Sequence, residues 1–494
     1  MKTSHFIIAA LLYGTCLNVA AQEVTVGPRG GTAIVCKGDL RDIMHPGKAT
    51  ASPSKVKMAD MTGSEAVVSY RDRITNMPGY LDQFIDQYIL AANTILEGGT
   101  NWLSDPLMAS QENGIYYYPL KEETFNIDFS FEPGSSLDVI DQKAKAVVQA
   151  VVNQESDSLS SFMPYAFLSV RFDHPETFWI GASYNSDLTY SYTYKFNYFS
   201  GEGTITCSII VRFILRDTSS FDIRCNAYLA QYNYRNTANI SQGVKLFHSS
   251  VQSILDQCQS YSRYRMLRKM HDWLTHHNCH NHFYSVGYRE DALGGTPWSP
   301  ISALVGNVKQ AAPVCEGYAR AMKVLCDKTN IPCILMSGKA AANSFDLADN
   351  HMWNYVQMED GNWYALDATF DDPIVPGINY QAISAYESHK WFLIGGMEEV
   401  DEDWSFLDSH PEQWAMNYPN NGHLNWELLP GPVLADKYYV PDPFDPDGDG
   451  ATTQEDVRIM AEMIVNDDDD IEDIDGNSRI TIGDLVHLIN RSLP

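Results

Sequence analysis

At 494 residues the chain exceeds what one ordinary core accommodates, and about three domains is the natural division. Apolar residues make up 44% and aromatics 12%, enough to bury sizeable cores, which excludes wholesale disorder. A formal net charge of -29 argues against nucleic acid, whose phosphates are neutralised by Lys and Arg. The charge is uneven: from Val440 to Pro494 there are 15 Asp and Glu against 3 Lys and Arg, so this tail carries -12 of the -29. A compact acidic block suits divalent cations or a basic partner.

Residues 1–21 read as a signal peptide, with Lys2 at the positive start, an apolar Phe6–Tyr13 and a small-residue site at Val19-Ala20-Ala21. The mature chain is expected to begin at Gln22. Cys16 is a poor lipoprotein anchor, because Tyr13-Gly14-Thr15 is not a run of small residues. No later stretch reaches the ~20 apolar residues of a membrane span. The expectation is a secreted protein, extracellular, at the cell surface or periplasmic. Eight of the nine cysteines remain after cleavage. Cys207 with Cys225 could bridge neighbouring strands, and Cys326 with Cys333 or Cys258 with Cys279 are weaker pairs.

Residues 22–250 are expected to form an N-terminal α+β domain. Its first ~50 residues lack periodicity and carry glycine and proline clusters such as Gly27-Pro28-Arg29-Gly30-Gly31. Leu81, Phe84, Ile85, Tyr88, Ile89 and Ala92 then fall at helical spacing, closed by Gly98-Gly99. A second amphipathic helix starts near Leu137, with Ile140, Ala144, Val147, Val148 and Val151 on one face. Five runs rich in β-branched and aromatic residues predict an antiparallel sheet: Ala166–Phe172, Thr177–Ala182, Leu188–Tyr198, Thr204–Leu215 and Phe221–Leu229. The aromatics Trp179, Tyr190, Tyr192 and Tyr194 in these runs suit packing on a sheet face better than a substrate surface. From Gly243 to about His276 the pattern is helical again.

Chemistry concentrates further on. Pro313 interrupts regular structure, after which Tyr318, Ala321, Met322, Leu325 and Cys326 recur at helical spacing, so Cys315 lies in a helix's first turn. Unpaired N–H groups and the helix dipole there favour an anion, hence a thiolate. A buried structural cysteine would look the same taken alone. Next, His351–Met358 and Asn362–Asp367 predict a hairpin around Glu359-Asp360-Gly361. A two-residue loop would send His351 and Asp367 to opposite faces. A three-residue loop, with Gly361 left-handed, pairs Met358 with Asn362 and makes His351 the diagonal same-face neighbour of Asp367. A carboxylate can then hold one imidazole nitrogen while the other faces a nucleophile.

Val314-Cys315-Glu316-Gly317-Tyr318-Ala319, Ile331-Pro332, His351-Met352-Trp353-Asn354 and Trp363–Pro373 together resemble the bacterial transglutaminase-like superfamily. The resemblance runs over about 261–400 and leaves the N-terminal domain unmatched. It implies a papain-like fold over residues 251–430, with Cys315 as nucleophile, His351 as base and later acid, and Asp367 as orienter. It further implies acyl transfer on an amide of protein or cell-wall peptide through a thioester, with peptidase-like hydrolysis ahead of a protein-crosslinking transglutaminase. A non-catalytic binding or scaffold protein is the reading from another class. The Cys315 backbone N–H would help bind the oxyanion, with Gln310 and Trp298 as candidates for the second donor. His271, His276, His277, Cys279, His280 and His282 crowd one stretch, but no conventional four-ligand spacing is present.

Residues 431–444, rich in proline, are expected to link this core to a tail at 445–494. Asp445, Asp447, Asp449, the Ala451 carbonyl, Thr453 and Asp456 fall at calcium-loop positions one, three, five, seven, nine and twelve, with Gly450 at the sharp turn. Asp473, Asp475, Asn477, the Arg479 carbonyl, Thr481 and Asp484 repeat the pattern, although Ser478 replaces the turn glycine. Each loop leads into a short helix, and Asp rather than Glu stands at twelve. The duplicated unit resembles a type I dockerin, a small all-α module that binds structural calcium and docks onto a cohesin. For the catalytic site no cofactor is expected.

Overall fold

A computed structural model describes residues 23–39, 69–71, 74, 77–101, 110–112, 115–178, 183–217, 237–258, 262–278, 280, 298–306, 313–372, 388–414, 431–465, 474 and 481–492. The leader, Phe221–Leu229, Cys225, Cys279, His282, Gln310 and most of the second acidic loop lie outside the described residues. The chain divides into two compact units.

The first unit comprises residues 1–37, 117–160 and 185–214. Its strands β1 (Glu23–Asp39), β3 (Ile115–Ser130), β4 (Ser183–Asn197) and β5 (Glu202–Asp217) run in the order β1-β4-β5-β3; β2 is the short Ser110–Glu112. The β4–β5 pair is antiparallel, in register from Ser186↔Phe213 to Asn197↔Glu202. Alternate side chains go inward: Leu188, Tyr192, Tyr194 and Phe196 from β4, and Ile205, Cys207, Ile209 and Val211 from β5. The early turns of α2 (Leu137–Asp173) bury Ile140, Ala144, Val148 and Val152 at helical spacing, and the Tyr194 hydroxyl donates to Asp141 at 2.9 Å.

The expected strand Ala166–Phe172 is instead the end of α2. Tyr165, Ala166, Phe167, Leu168, Ser169, Val170, Arg171 and Phe172 are all buried, so the run is enclosed on every side. Continuous burial erases the periodicity that separates a helix from a strand.

The second unit, residues 38–116, 161–184 and 215–494, holds the chemistry. A four-stranded antiparallel sheet runs β11-β6-β7-β8, with β6 Cys333–Ala340, β7 Asp349–Gln357, β8 Trp363–Leu366 and β11 Glu412–Trp414. On it packs α6 (Cys315–Lys328), covered in turn by α4 (Arg263–His276) and α5 (Pro300–Leu304), with α3 (Thr237–Leu255) on those two and α1 (Gly79–Leu96) on α3. Their shared core includes Phe247, Leu267, Met270, Ile301, Met322 and Leu325. Every residue of α6 from Cys315 to Cys326 is buried, as a helix enclosed by neighbours requires. Beyond lie β9 (Glu399–Asp401), β10 (Trp404–Ser405) and α7 (Phe406–Ser409), which a Ser405–Asp408 capping box opens.

The proline-rich stretch expected as a linker lies against this core. Ala435 N–H donates to Trp363 O at 2.8 Å, and Tyr439 N–H to Leu393 O at 3.0 Å. Its extended backbone lets it run beside the outer strand β8, where Leu434 forms a parallel bridge with Trp363. The tail helices α8 (Gln454–Val465) and α9 (Ile482–Ser492) pack on each other through Ile459, Met460, Met463 and Leu488. Cys207, Cys258, Cys315, Cys326 and Cys333 are free thiols, so the suggested Cys326–Cys333 bridge is not formed. Among the described residues no helix is long and apolar enough to cross a membrane.

Candidate active site

The hairpin that carries two of the three expected residues takes the three-residue form. Gly361 adopts φ +80, its N–H reaches Met358 O at 3.0 Å, and Met358 N–H donates to Asn362 O at 3.0 Å. The Asp360 side chain secures the turn by accepting from Asn362 N–H at 2.9 Å. From Gln357↔Trp363 the ladder runs to Asn354↔Leu366, and one step more sets Trp353 opposite Asp367. His351 then shares the face of Asp367. Its Nε2 lies 2.7 Å from Asp367 Oδ2, both groups being buried.

Asp367 is held from two sides. Oδ1 accepts from the N–H groups of Thr369 at 3.1 Å and Phe370 at 3.2 Å. Oδ2 takes His351 and, at 3.4 Å, His410 Nε2. Burial pushes this carboxyl up, but the charge and hydrogen bond of His351, with His410, outweigh it and keep Asp367 well below the usual carboxylate range. Burial correspondingly pulls His351 down, while Asp367 and a hydrogen bond with the Cys315 thiol carry it up to about 10. Phe370 stacks on the imidazole with centroids 4.3 Å apart and planes 14° from parallel, which fixes the ring's orientation. With Nε2 committed to Asp367, Nδ1 is the nitrogen left for the thiol.

Cys315 opens α6 after Val314, in extended conformation, and is 5% exposed. The helix is tied to β7 by Asn354 Nδ2, which donates to Ala319 O at 2.9 Å. Sequence reading therefore brought together three residues that the fold does assemble.

Residues 252–368 match the transglutaminase-like superfamily. The chain thus carries a transglutaminase-like domain, and Cys315, His351 and Asp367 all fall inside the matched span. No curated protein matches the chain. It is similar to a solved transglutaminase at 15% identity, over 38% of this chain and 46% of that one, with a TM-score of 0.23. A candidate cysteine protease from Cytophaga hutchinsonii is similar at 13% identity, over 54% of this chain and 70% of that one, with a TM-score of 0.18. The chain spans about half the length of the first of these.

Other expected positions distribute around the transglutaminase-like domain. Trp298 stands just before α5, where its carbonyl accepts from Arg320 Nη1 at 3.0 Å. His271 is enclosed, with Nε2 3.1 Å from Asp371 and Nδ1 3.3 Å from Asp272. Burial opposes its charge, but both carboxylates raise it to about 9. His389 Nε2 meets the same Asp272 at 2.6 Å, and Arg268 contacts both Asp272 and His389 Nδ1. Donor atoms of His271, Asp272 and His389 lie within 4.8 Å of one another. The guanidinium at His389 Nδ1 turns the Nε2–H toward Asp272, so this set is an ion-pair network rather than a cation's ligands. His277 stacks on Trp273 at 4.6 Å.

The first acidic loop is closed by its own carboxylates. Asp445 accepts from the N–H groups of Gly448, Asp449 and Gly450 at 2.9, 3.1 and 2.9 Å. Gly448 and Gly450 take positive φ. Oxygens of Asp445, Asp447 and Asp449 lie within 4.8 Å of one another. Asp456 is buried and accepts from Thr453 N–H at 2.6 Å; Asp484 repeats this with Thr481 N–H at 2.7 Å. Asp473, Asp475, Asn477 and Arg479 lie outside the described residues.

Sequence reasoning missed His410, whose position 43 residues beyond Asp367 gives no local signal. It stacks on Phe406 at 4.1 Å, and Nδ1 faces the Ser409 hydroxyl at 2.6 Å. Burial keeps it below its ordinary value in spite of Asp367. The pair of Tyr318, whose hydroxyl donates to Asp372, was missed as well.

Proposed function

We propose that the protein is a secreted thiol-dependent acyl-transfer enzyme, a peptidase-like hydrolase acting on amide bonds of protein or cell-wall peptide. The observation that carries this reading is the buried 2.7 Å contact of His351 with Asp367, on a ring that hydrogen-bonds the Cys315 thiol. His351 takes the thiol proton, and the thiolate attacks the amide carbonyl carbon. The Cys315 N–H, at the first position of α6 where a helix offers N–H groups no partner of its own, faces the oxyanion. Collapse leaves a thioester as His351 returns the proton to the departing amine. Water activated by the same imidazole then releases the acid. Asp367 stays ionised throughout and steadies the imidazolium.

In this reading a dockerin-like tail holds the enzyme to a cohesin-like partner. Asp445, Asp447, Asp449, Thr453, Asp456 and the Ala451 carbonyl would hold one calcium ion, with the second set from Asp473 to Asp484 holding another. Bound calcium supplies the positive charge that lets these carboxylates converge.

The test is site-resolved alkylation with iodoacetamide at neutral pH. Cys315 should react faster than a model thiol, and His351→Ala should slow it at least tenfold. Reaction at the model-thiol rate, indifferent to His351→Ala, sinks the enzyme reading. Incubating an amide-bearing polypeptide with a primary amine separates the chemistries: cleavage without amine incorporation is expected, and incorporation makes the protein a transferase.

A further inference from the structure

Arg171, near the end of α2, reaches the residue that follows the nucleophile. Glu316 is fully buried, and its Oε1 accepts from Arg171 Nε at 2.9 Å and Nη2 at 2.5 Å. Arg320, one turn along α6, brings Nη1 within 3.6 Å of the same oxygen. Arg320 also donates to two backbone carbonyls, Trp298 O at 3.0 Å and Pro175 O at 3.4 Å. Glu316 Oε2 and Arg320 Nε have no hydrogen-bond partner among the described residues. Burial and the charge of Arg171 pull Arg320 down to about 9 despite Glu316. Two cations thus share one anion in the interior, an arrangement that well-packed apolar residues would usually better for stability alone.

We propose that Arg171, Glu316 and Arg320 are positioning residues for Cys315: they lock the first turn of α6 against Trp298 and hold one net positive charge beside the thiolate. The proposal rests on the enzyme reading above. An acid at the second helical position suits the helix dipole, yet a bare carboxylate next to the nucleophile would oppose its anion. Pairing with two guanidiniums reverses the local sign. The other charged groups in reach are Glu176, which acts on Arg320 but is itself paired with His174 at 3.1 Å, so that the pair leaves the net charge of the set unchanged, and His351 from β7, backed by Asp367 and His410. One unit charge at ~8 Å, with an effective dielectric of ~20, alters a thiolate fraction at most about thirtyfold, and screening around the site trims that toward tenfold.

The experiment measures Cys315 alkylation from pH 5 to 9 on the full chain, with thermal melting alongside. Arg171→Met should slow the reaction at pH 7 about tenfold and move the profile to higher pH, and Arg171→Lys should recover most of the rate. Glu316→Gln, which removes the anion and keeps both cations, should move the profile the opposite way. A purely structural set loosens when cut and exposes the thiol; equal or faster alkylation of Arg171→Met with an unshifted profile overturns the proposal. If Arg171→Met does not fold, the opposed direction of Glu316→Gln still decides, and a wild-type profile there overturns it too. Failure of the enzyme reading looks different: wild-type Cys315 itself would react like a model thiol.

Discussion

Replacing Asp372 with Asn should stabilise the catalytic core, and the gain should grow with pH. Asp372 is 2% exposed; Oδ2 accepts from the Tyr318 hydroxyl, and Oδ1 has no partner among the described residues. Burial pushes the carboxyl up to about 8, against the hydroxyl and the charge of His271. The folded state therefore keeps a proton that the unfolded chain releases near pH 4. Wild-type stability falls as pH rises from about 4 to about 8, by about 1.4 kcal/mol for each pH unit, and levels off above. Relaxation around the site trims the full loss, of order 5 kcal/mol, to several kcal/mol at pH 8. Asn mimics the protonated acid: its oxygen still accepts from Tyr318, and it never ionises. Denaturant unfolding followed by tryptophan fluorescence at pH 5, 6, 7 and 8 compares the two proteins pairwise. The variant's advantage should widen at each step. A gap that stays constant, or narrows toward pH 8, refutes the assignment of a protonated Asp372.

Three further outcomes follow from the geometry. His410→Phe keeps the stack on Phe406 and removes a donor to Asp367; a weak bond to a charged acceptor is worth about 1 kcal/mol, so Cys315 alkylation at pH 7 should fall about fivefold, with the melting temperature lowered as the buried Ser409 hydroxyl loses Nδ1. Gly361→Ala meets no atom within 4 Å, so its cost is conformational alone, about 1 kcal/mol of core stability by denaturant unfolding. Calcium titration followed by circular dichroism should raise helical signal, and Asp445→Ala should abolish the first loop's share. Because burial and its acidic neighbours raise Asp447 to about 6, calcium affinity should drop below that pH as the carboxyl takes a proton.

The sequence was most legible where chemistry coincides with local rules. Pro313 and the spacing from Tyr318 to Cys326 put Cys315 at a helix start, and Glu359-Asp360-Gly361 narrowed the face of His351 and Asp367 to two outcomes, between which the positive φ of Gly361 decides. The hairpin of β4 and β5 was readable because its pattern alternates. Legibility ended where burial is complete: Tyr165–Phe172 carries no period, and a helix and a strand look alike there. It ended again where partners are distant in the chain, as with His410 on Asp367 or Arg171 on Glu316, 145 residues apart. Composition alone likewise made residues 431–444 a linker, since proline content reports backbone shape and not which strand lies alongside.

Three carboxylates within six residues show why the fold has to decide protonation. Asp367, Asp371 and Asp372 are chemically alike in the sequence, and all are buried. Asp367 meets two imidazoles and two backbone N–H groups, so it stays ionised and holds a charged His351. Asp371 faces His271 and accepts from the Ser388 hydroxyl at 2.6 Å and the Trp391 N–H at 3.1 Å, which pins the segment after the acidic turn. Asp372 has one hydroxyl and, among the described residues, no cation in hydrogen-bonding contact, so burial wins and it keeps its proton at neutral pH. Asp371 already sets a carboxylate against His271, and an ionised Asp372 would add a further buried charge with no cation hydrogen-bonded to it among the described residues. Raising the pH toward 8 therefore acts on the core through Asp372, whose ionisation sets a bare charge beside Tyr318, and not through Asp367, which is ionised throughout.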